Sequence, residues 1–265
     1  MARWTLARAA LYGTVFVTYV FLVIPVLVVV LVSFNPLESL TINLSRPSLR
    51  WYLEFFRNAN FFNSFGASLE IAAITAMVST LIGVPAAYSL VRSNLPGRTV
   101  LEAFFLSPLA VPAIILGVAL LNFYYLIQMN GSTLSIILGH IAVTSPYMIR
   151  TVTASLVGLD LALEEAAVGL GASPLRTFFA ITLPLMRSGV IAGAIFVFIL
   201  SFGELNATVF LTSPAATTLP VQIFSELFWT TNPVVAAASV FQILVIVLGV
   251  LVIERTVGIT RVARF

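Results

Sequence analysis

An all-α fold is expected for this chain: a polytopic membrane bundle of about six transmembrane helices. Its mean hydropathy is +1.09. Only 9% of its residues are charged, where soluble domains carry about a quarter. Apolar runs of helical length recur from end to end, each sufficient for roughly 30 Å of hydrocarbon. A chain this poor in polar side chains cannot cover itself against water. Lipid must be its main solvent, and in lipid the helix satisfies every backbone group within one segment.

Six runs qualify as spans: residues 11–32, 65–91, 100–127, 134–157, 189–211 and 234–253. The first follows Arg3 and Arg8 but exceeds a secretory-signal core and lacks a small-residue cleavage site, so it is expected to stay as a span. The length of 265 residues suits one such bundle with short loops. The expected organisation is a single transmembrane domain over 1–265, with 1–64 holding the first span and an outer loop. Residues 65–255 hold the core spans, and 158–187 form a cytoplasmic segment between the fourth and fifth.

Arginine placement orients the bundle. All 13 basic residues are arginine. With alternate crossings, Arg3, Arg8, Arg92, Arg98, Arg176, Arg187, Arg255, Arg261 and Arg264 share one side, while Arg46, Arg50 and Arg57 share the other. The rich side is cytoplasmic by the positive-inside rule, which puts both termini inside. The outer stretch "LRWYLEFFRNANFF" reads as an interfacial helix with aromatics at headgroup level. Its alternative is an ordinary capped loop. Pro85, Pro108, Pro112 and Pro146 fall inside spans, where each frees a carbonyl and kinks its helix.

The stretch "LDLALEEAAVGLGASPLRTFFAITLPL" interrupts this apolar chain with acidic and small residues. Asp160 is placed to cap a helix whose first turn receives Glu164 and Glu165, where the helix dipole favours carboxylates. Gly169 and Gly171 suit its end, and Ser173-Pro174 suits the cap and first position of a second helix. The expectation is two short helices that show small side chains and two carboxylates to the cytosol. Small residues let another backbone come close, which is what a docking knob requires.

These residues resemble a known signature. Glu165-Ala166-Ala167, Gly171, and Ile181 with Leu183-Pro184 match, in identity and spacing, the "EAA" motif of the permease subunits of bacterial ABC importers. The resemblance extends through "SPLAVPAIILGVALLNFY", "HIAVTSPYMIRTVTASLVGLD" and "TLPVQIFS", which look like the second permease of polyamine-type importers. It implies the type I importer permease fold and a bacterial inner-membrane location. It also implies a coupling segment, with Asp160 and Glu164 beside the signature residues, that docks on a dimer of cytoplasmic ATP-binding subunits. A second homologous permease and a solute-binding protein are the other implied partners. Relatives often carry a proline just after the "LP"; this chain has Arg187-Ser188 there.

Ionisable groups within spans are costly and mark candidate pathways. Glu204 and Asn206, in "LSFGELNATVF", fall inside the fifth expected span, and two readings stay open: substrate lining, or a hydrogen bond between helices. Asn122 is a further pathway candidate, although it falls with Glu70 near outer span ends, as Glu102 does near an inner one. Arg150 is placed to snorkel or to pair with a carboxylate. His140 reads as a satisfied hydrogen-bonding residue. Polyamine-type relatives tend to carry two adjacent acidic residues where this chain has Glu204-Leu205, and "GELNAT" looks closer to the iron, sulfate and phosphonate branches. A polyamine-type solute is favoured, with those others open.

Several classes are excluded. With no cysteine and one histidine, no metal site of the usual kinds can be built, and no cofactor is expected. A net charge of +3, scattered, argues against nucleic acid. No G-x-x-x-x-G-K-[ST] loop occurs, so ATP chemistry belongs to another subunit and the chain is not expected to be an enzyme. A proton-coupled secondary transporter is the runner-up, since kinked helices and a buried glutamate suit it, but it leaves the acidic knob unexplained. An intramembrane hydrolase would need a serine that no G-x-S-x-G motif supplies.

Overall fold

The computed structural model describes residues 2–257 other than Leu44, Asn94 and Thr230. Arg261 and Arg264, two of the orienting arginines, lie outside the described residues. Among the described residues the secondary structure is helical, apart from one isolated bridge between Ser213 and Ala216. The chain divides into two compact units. One gathers the residues up to 62 with Ile223–Ile243, and the other gathers Asn63–Gln222 with the residues from 244 onward.

In the first unit, α1 (Ala2–Ser33) is a continuous helix that accommodates Pro25. The short helix α2 (Arg50–Arg57) forms within the outer stretch. Its aromatics correct the interfacial reading in part: Trp51 and Phe55 are fully buried in protein, while Leu53 and Phe56 remain exposed. The indole nitrogen of Trp51 donates to the carbonyl of Asn35 at 2.6 Å. The ring of Phe55 lies 4.7 Å from that of Phe241. Phe61 and Phe202 likewise have almost no exposed surface.

The second unit is built around α6 (Thr133–Val157), which buries residues along nearly its whole length. Ser135, His140 and Thr144 lie on that enclosed surface. A helix wrapped by protein need not be as apolar as one facing lipid, and α6 can carry these polar residues for that reason. Two clusters hold it. Met148, Val152 and Leu156 pack with Val84, Ala87 and Leu90 of α3 (Ala59–Arg92). Ile136 and Ile137 pack with Ile71, Tyr124 and Leu211.

Among the described residues three helices are long and apolar enough to cross a membrane without interruption: Ala10–Ser33, Ala59–Arg92 and Val234–Thr256, the last being most of α13 (Val234–Val257). Of the other three expected spans, 134–157 forms one helix, α6, that is not among these strongly apolar ones, and two are interrupted. Residues 100–127 are not one helix: α4 (Arg98–Leu106) and a 3-10 turn meet α5 (Ala113–Leu126) at 104°. Pro108 and Pro112 sit at the break, and proline there removes the amides that a continuous helix would use. Pro85 and Pro146, in contrast, stay inside unbroken helices.

The fifth expected span, 189–211, is also interrupted. Helix α10 (Arg187–Phe202) ends at Gly203, and a single turn, α11 (Thr208–Leu211), follows. Before α10, residues Pro174–Leu185 run as α8 (Pro174–Thr177), a π turn at Phe178–Thr182 and α9 (Leu183–Leu185). They meet α10 at 71°. Met186, fully buried, sits at this corner. Helix α12 (Leu219–Trp229) lies between α11 and α13.

Candidate functional site

The acidic interruption folds as its residues dictate. Asp160 caps α7 (Leu161–Gly169) by accepting from the amide of Ala162 at 3.0 Å. At the other end Gly171 adopts φ +88°, the left-handed conformation that glycine enters freely. Two bonds close that end: the amide of Ala172 donates to the carbonyl of Ala167 at 3.0 Å, and the amide of Gly171 to that of Val168 at 2.9 Å. This is a Schellman turn. Ser173 then caps α8, with Pro174 at its first position.

The two carboxylates are not equivalent. Glu165 is exposed, as expected of a docking group. Glu164 is not. It is buried, and its Oε1 accepts from Nε of Arg92 at 3.1 Å, with only about a tenth of either side chain accessible (13% and 10%). Arg92 donates further to the carbonyls of Leu156, in the last turn of α6, and Leu159, just beyond it, at 3.4 and 3.3 Å. The expectation that both carboxylates face solvent is therefore corrected. Through this buried ion pair Glu164 ties α7 to α3 and α6. Asp160, Ala166 and Gly171 are exposed, and Ala167, Ile181 and Leu183 are half-buried beside the exposed Pro184. The same element exposes large apolar side chains, Leu170 at 91% and Leu175 at 72%.

The second candidate site is the break after α10. Glu204 and Asn206 do not lie on a continuous helix, as expected, but in the five residues between α10 and α11. Glu204 is 9% exposed. Its carboxylate folds back onto the start of α11. The amide of Ala207 donates to both oxygens at 3.1 Å, that of Thr208 to Oε2 at 3.0 Å, and the hydroxyl of Thr208 to Oε2 at 2.7 Å. So Oε2 carries three donors, while Oε1 has only a share of one. A carboxylate offers about four acceptor positions. The spare capacity is on Oε1.

Glu204 and the exposed Asn206 line a cavity of about 340 Å³ with Val143, Thr144, Tyr147, Leu200, Gly203 and Leu205. The break can sit against α5 because Gly117 has no side chain. A Cβ there would lie 2.7 Å from the Cα of Ala207 and 2.9 Å from its carbonyl oxygen. Beneath the break lies His140, fully buried, with Nδ1 2.7 Å from the hydroxyl of Ser201 and Nε2 2.7 Å from that of Thr208. Its reading as a satisfied residue is borne out.

The remaining sequence candidates are not brought to this cavity. Asn122 is exposed on α5, and its amide donates to the carbonyl of Val118 on its own helix at 2.8 Å. Glu70 is exposed on α3. Arg150 lines a separate cavity of about 290 Å³ with Arg98 and Glu102. It has no ion-pair partner among the described residues. Sequence reasoning overlooked Arg92, Gly117, Ser201 and Thr208. Thr208 had a signal: it follows Glu204 by four residues, the spacing at which a carboxylate reaches a helix start. Arg92 and Gly117 had none, since their partners lie far away in the chain.

Residues 79–258 match the family described as binding-protein-dependent transport system inner membrane component. The chain is 34% identical over 228 residues to the putrescine transport system permease protein PotI of Escherichia coli, spanning 83% of this chain and 81% of that one. To the spermidine/putrescine transport system permease protein PotC of Haemophilus influenzae it is 28% identical over 257 residues, 97% and 98% of the two chains. In fold it is similar to a bacterial ABC transporter involved in the import of the acidic polysaccharide alginate, with a TM-score of 0.74 at 14% identity over 99% of this chain and 97% of that one. The MetNI methionine ABC transporter, in inward facing conformations, gives 0.64 at 19% identity over 74% and 94%. A hinged set of helices, an acidic two-helix knob bearing the signature residues, and a family match over more than half the chain agree: this protein belongs to the binding-protein-dependent transport system inner membrane component family and is a permease subunit of an ABC importer.

Proposed function

We propose that this permease forms half of the inward path of a small cationic solute of the polyamine type, across a bacterial inner membrane. The observation that carries the reading is Glu204. It is a buried carboxylate with an uncommitted oxygen, it lines a cavity, and no cation of this chain neutralises it among the described residues. An ammonium group meets that need. The printed substrates of the relatives, putrescine and spermidine, are cations of this class. An anion would be repelled by that carboxylate, and a chelated metal would find little beside it but one amide, the hydroxyls of Thr144 and Tyr147 and apolar side chains.

In the same reading the single domain crosses six times, through α1, α3, the bent pair α4–α5, α6, α10 and α13, with both termini inside. Helix α6, at 25 residues and about 1.5 Å per residue, is long enough to take part. Segment 158–187 then enters a groove on an ATP-binding subunit, and its exposed Leu170 and Leu175 are the apolar surface that such a groove would cover. Glu165, Ala166, Ala167 and Gly171 form the contacting edge, while Asp160 and Glu164 shape the element from within. A second, homologous permease closes the cavity at Glu204, and a solute-binding protein delivers from outside.

Radiolabelled putrescine uptake into proteoliposomes bearing the assembled importer tests the pathway. Glu204→Gln keeps the shape and removes the charge. Uptake should fall about tenfold or more, the scale of one lost charged contact, with the complex still assembled. Undiminished uptake would exclude Glu204 from the path. Orientation is open to a clean labelling test because the chain has no cysteine. Single cysteines at Leu95 and Ala172 should react only from the cytoplasmic side, and those at Ser48 and Ala215 only from the outside.

A further inference from the structure

We infer that His140 is a positioning residue for the solute site. Through Thr208 it fixes which oxygen of Glu204 is free to meet a cation. The inference rests on the pathway reading of Glu204 given above.

The protons along the chain of contacts can be assigned. Thr208 Oγ1 lies 2.7 Å from Oε2 of Glu204 and 2.7 Å from Nε2 of His140. A carboxylate can only accept, so the threonine proton must point to Oε2. With its one proton spent, Oγ1 can only accept from the imidazole, which puts a hydrogen on Nε2. The neutral ring then has a bare Nδ1, and Ser201, 2.7 Å away, must donate to it. The order is Ser201 to His140 to Thr208 to Glu204, each O–H or N–H donating toward the carboxylate. Every member is buried.

The placement gives this order a consequence. Ser201 lies in the last turn of α10, Thr208 opens α11, and His140 projects from α6. One imidazole thus spans the break and binds the helix end on either side of it. It holds the loop that carries Glu204 and Asn206, and it loads Oε2 with a hydroxyl that is itself polarised by a donor. Oε1 is left as the oxygen with capacity for an ammonium. A histidine placed only to fill space would need neither hydroxyl at 2.7 Å.

The test is a KM against maximal-rate comparison for putrescine uptake by the assembled importer in proteoliposomes. Thr208→Val keeps the volume but removes the bond to Oε2. His140→Leu removes both bonds, and His140→Gln restores an N–H that can reach toward Thr208. Thr208→Val and His140→Leu should raise KM about tenfold, as losing one hydrogen bond to a charged group does, and raise it more than they lower the maximal rate. His140→Gln should recover most of that loss. Should His140→Leu fail to assemble, Thr208→Val decides alone. A KM within twofold of the unsubstituted protein for Thr208→Val, beside a large rise for Glu204→Gln, overturns the inference and leaves the pathway reading intact. No rise for Glu204→Gln overturns the pathway reading itself.

Discussion

Two buried glutamates in this permease are held in opposite ways. Glu164, in the docking element, faces the guanidinium of Arg92, and that guanidinium is itself shared with two carbonyls. Glu204, in the break, faces no cation among the described residues and is held by backbone amides and a hydroxyl alone. The first carboxylate also borders a cavity, of about 480 Å³ with Tyr88 and Glu165, but it is neutralised by its partner. The second is held by neutral donors, which stabilise a carboxylate without cancelling its charge. A neutralised pair fastens elements together, and a charge held by neutral donors stays available to a cation that arrives later. On the proposed reading, the difference separates a mechanical joint from a binding group.

The largest expected effect breaks the joint. Arg92→Met leaves Glu164 buried without a counter-charge, a change that costs about 3–5 kcal/mol when one partner of a buried pair is removed. Detergent-purified protein should unfold at a markedly lower temperature and lose its ATP-binding subunit. The double variant Arg92→Met/Glu164→Leu should recover much of the loss, since a well-packed apolar pair is often as stable as the ion pair it replaces. Glu204→Gln should cost far less stability, about 1–2 kcal/mol, because an amide oxygen can still accept from Ala207 and Thr208. If Glu204→Gln unfolded the protein as Arg92→Met does, the two glutamates would be alike and the contrast would fail.

The next effect sharpens the description of the break. A methyl group at Gly117 would meet the backbone of Ala207 on two atoms, and backbone cannot swing aside as a side chain does. Gly117→Ala should therefore cost about 1–3 kcal/mol, the range for overpacking. It should also displace the loop bearing Glu204, lowering putrescine uptake while the ATP-binding subunit stays attached. Copurification separates it from the joint variants. Uptake equal to that of the unsubstituted protein would mean that the loop adjusts freely.

How far each region was legible in sequence follows from where its partners lie. The acidic two-helix element was readable almost to the residue, since its caps, its glycine turn and its signature are all local: Asp160 to Ala162, Gly171 to Val168, Ser173 to Arg176. What failed there was the orientation of Glu164, whose partner Arg92 comes from another helix. The break was misread as helix because "ILSFGELNATVFL" is bounded by apolar residues on both sides and carries no proline. Gly203 alone is a weak stop signal. Its cause is tertiary: the stretch leaves the helix to rest on Gly117 and His140, which sequence spacing could not associate with it. In the third expected span, by contrast, Pro108 and Pro112 marked a kink, while the complete break at 104° was beyond reading.

The smallest effect returns to the docking element, where two reasons for one glycine can be parted. Gly171 has φ +88° and open space around it, with nothing within 4 Å of where a Cβ would sit. Its constraint within this chain is purely conformational, unlike that of Gly117, which is purely steric. Gly171→Ala should then cost about 1 kcal/mol through the left-handed backbone alone. Gly171→Leu imposes the same backbone cost, and its bulk projects from the surface that the ATP-binding subunit is proposed to cover. The two variants should therefore melt at closely similar temperatures, while Gly171→Leu holds the ATP-binding subunit about tenfold more weakly, a difference of about 1.4 kcal/mol. Gly171→Asn, which enters the left-handed region more readily, should sit nearest the unsubstituted protein in both measurements. If Ala and Leu released the ATP-binding subunit equally, Gly171 would serve only to close the turn, and the edge that meets the partner would have to be sought at Leu170 and Leu175.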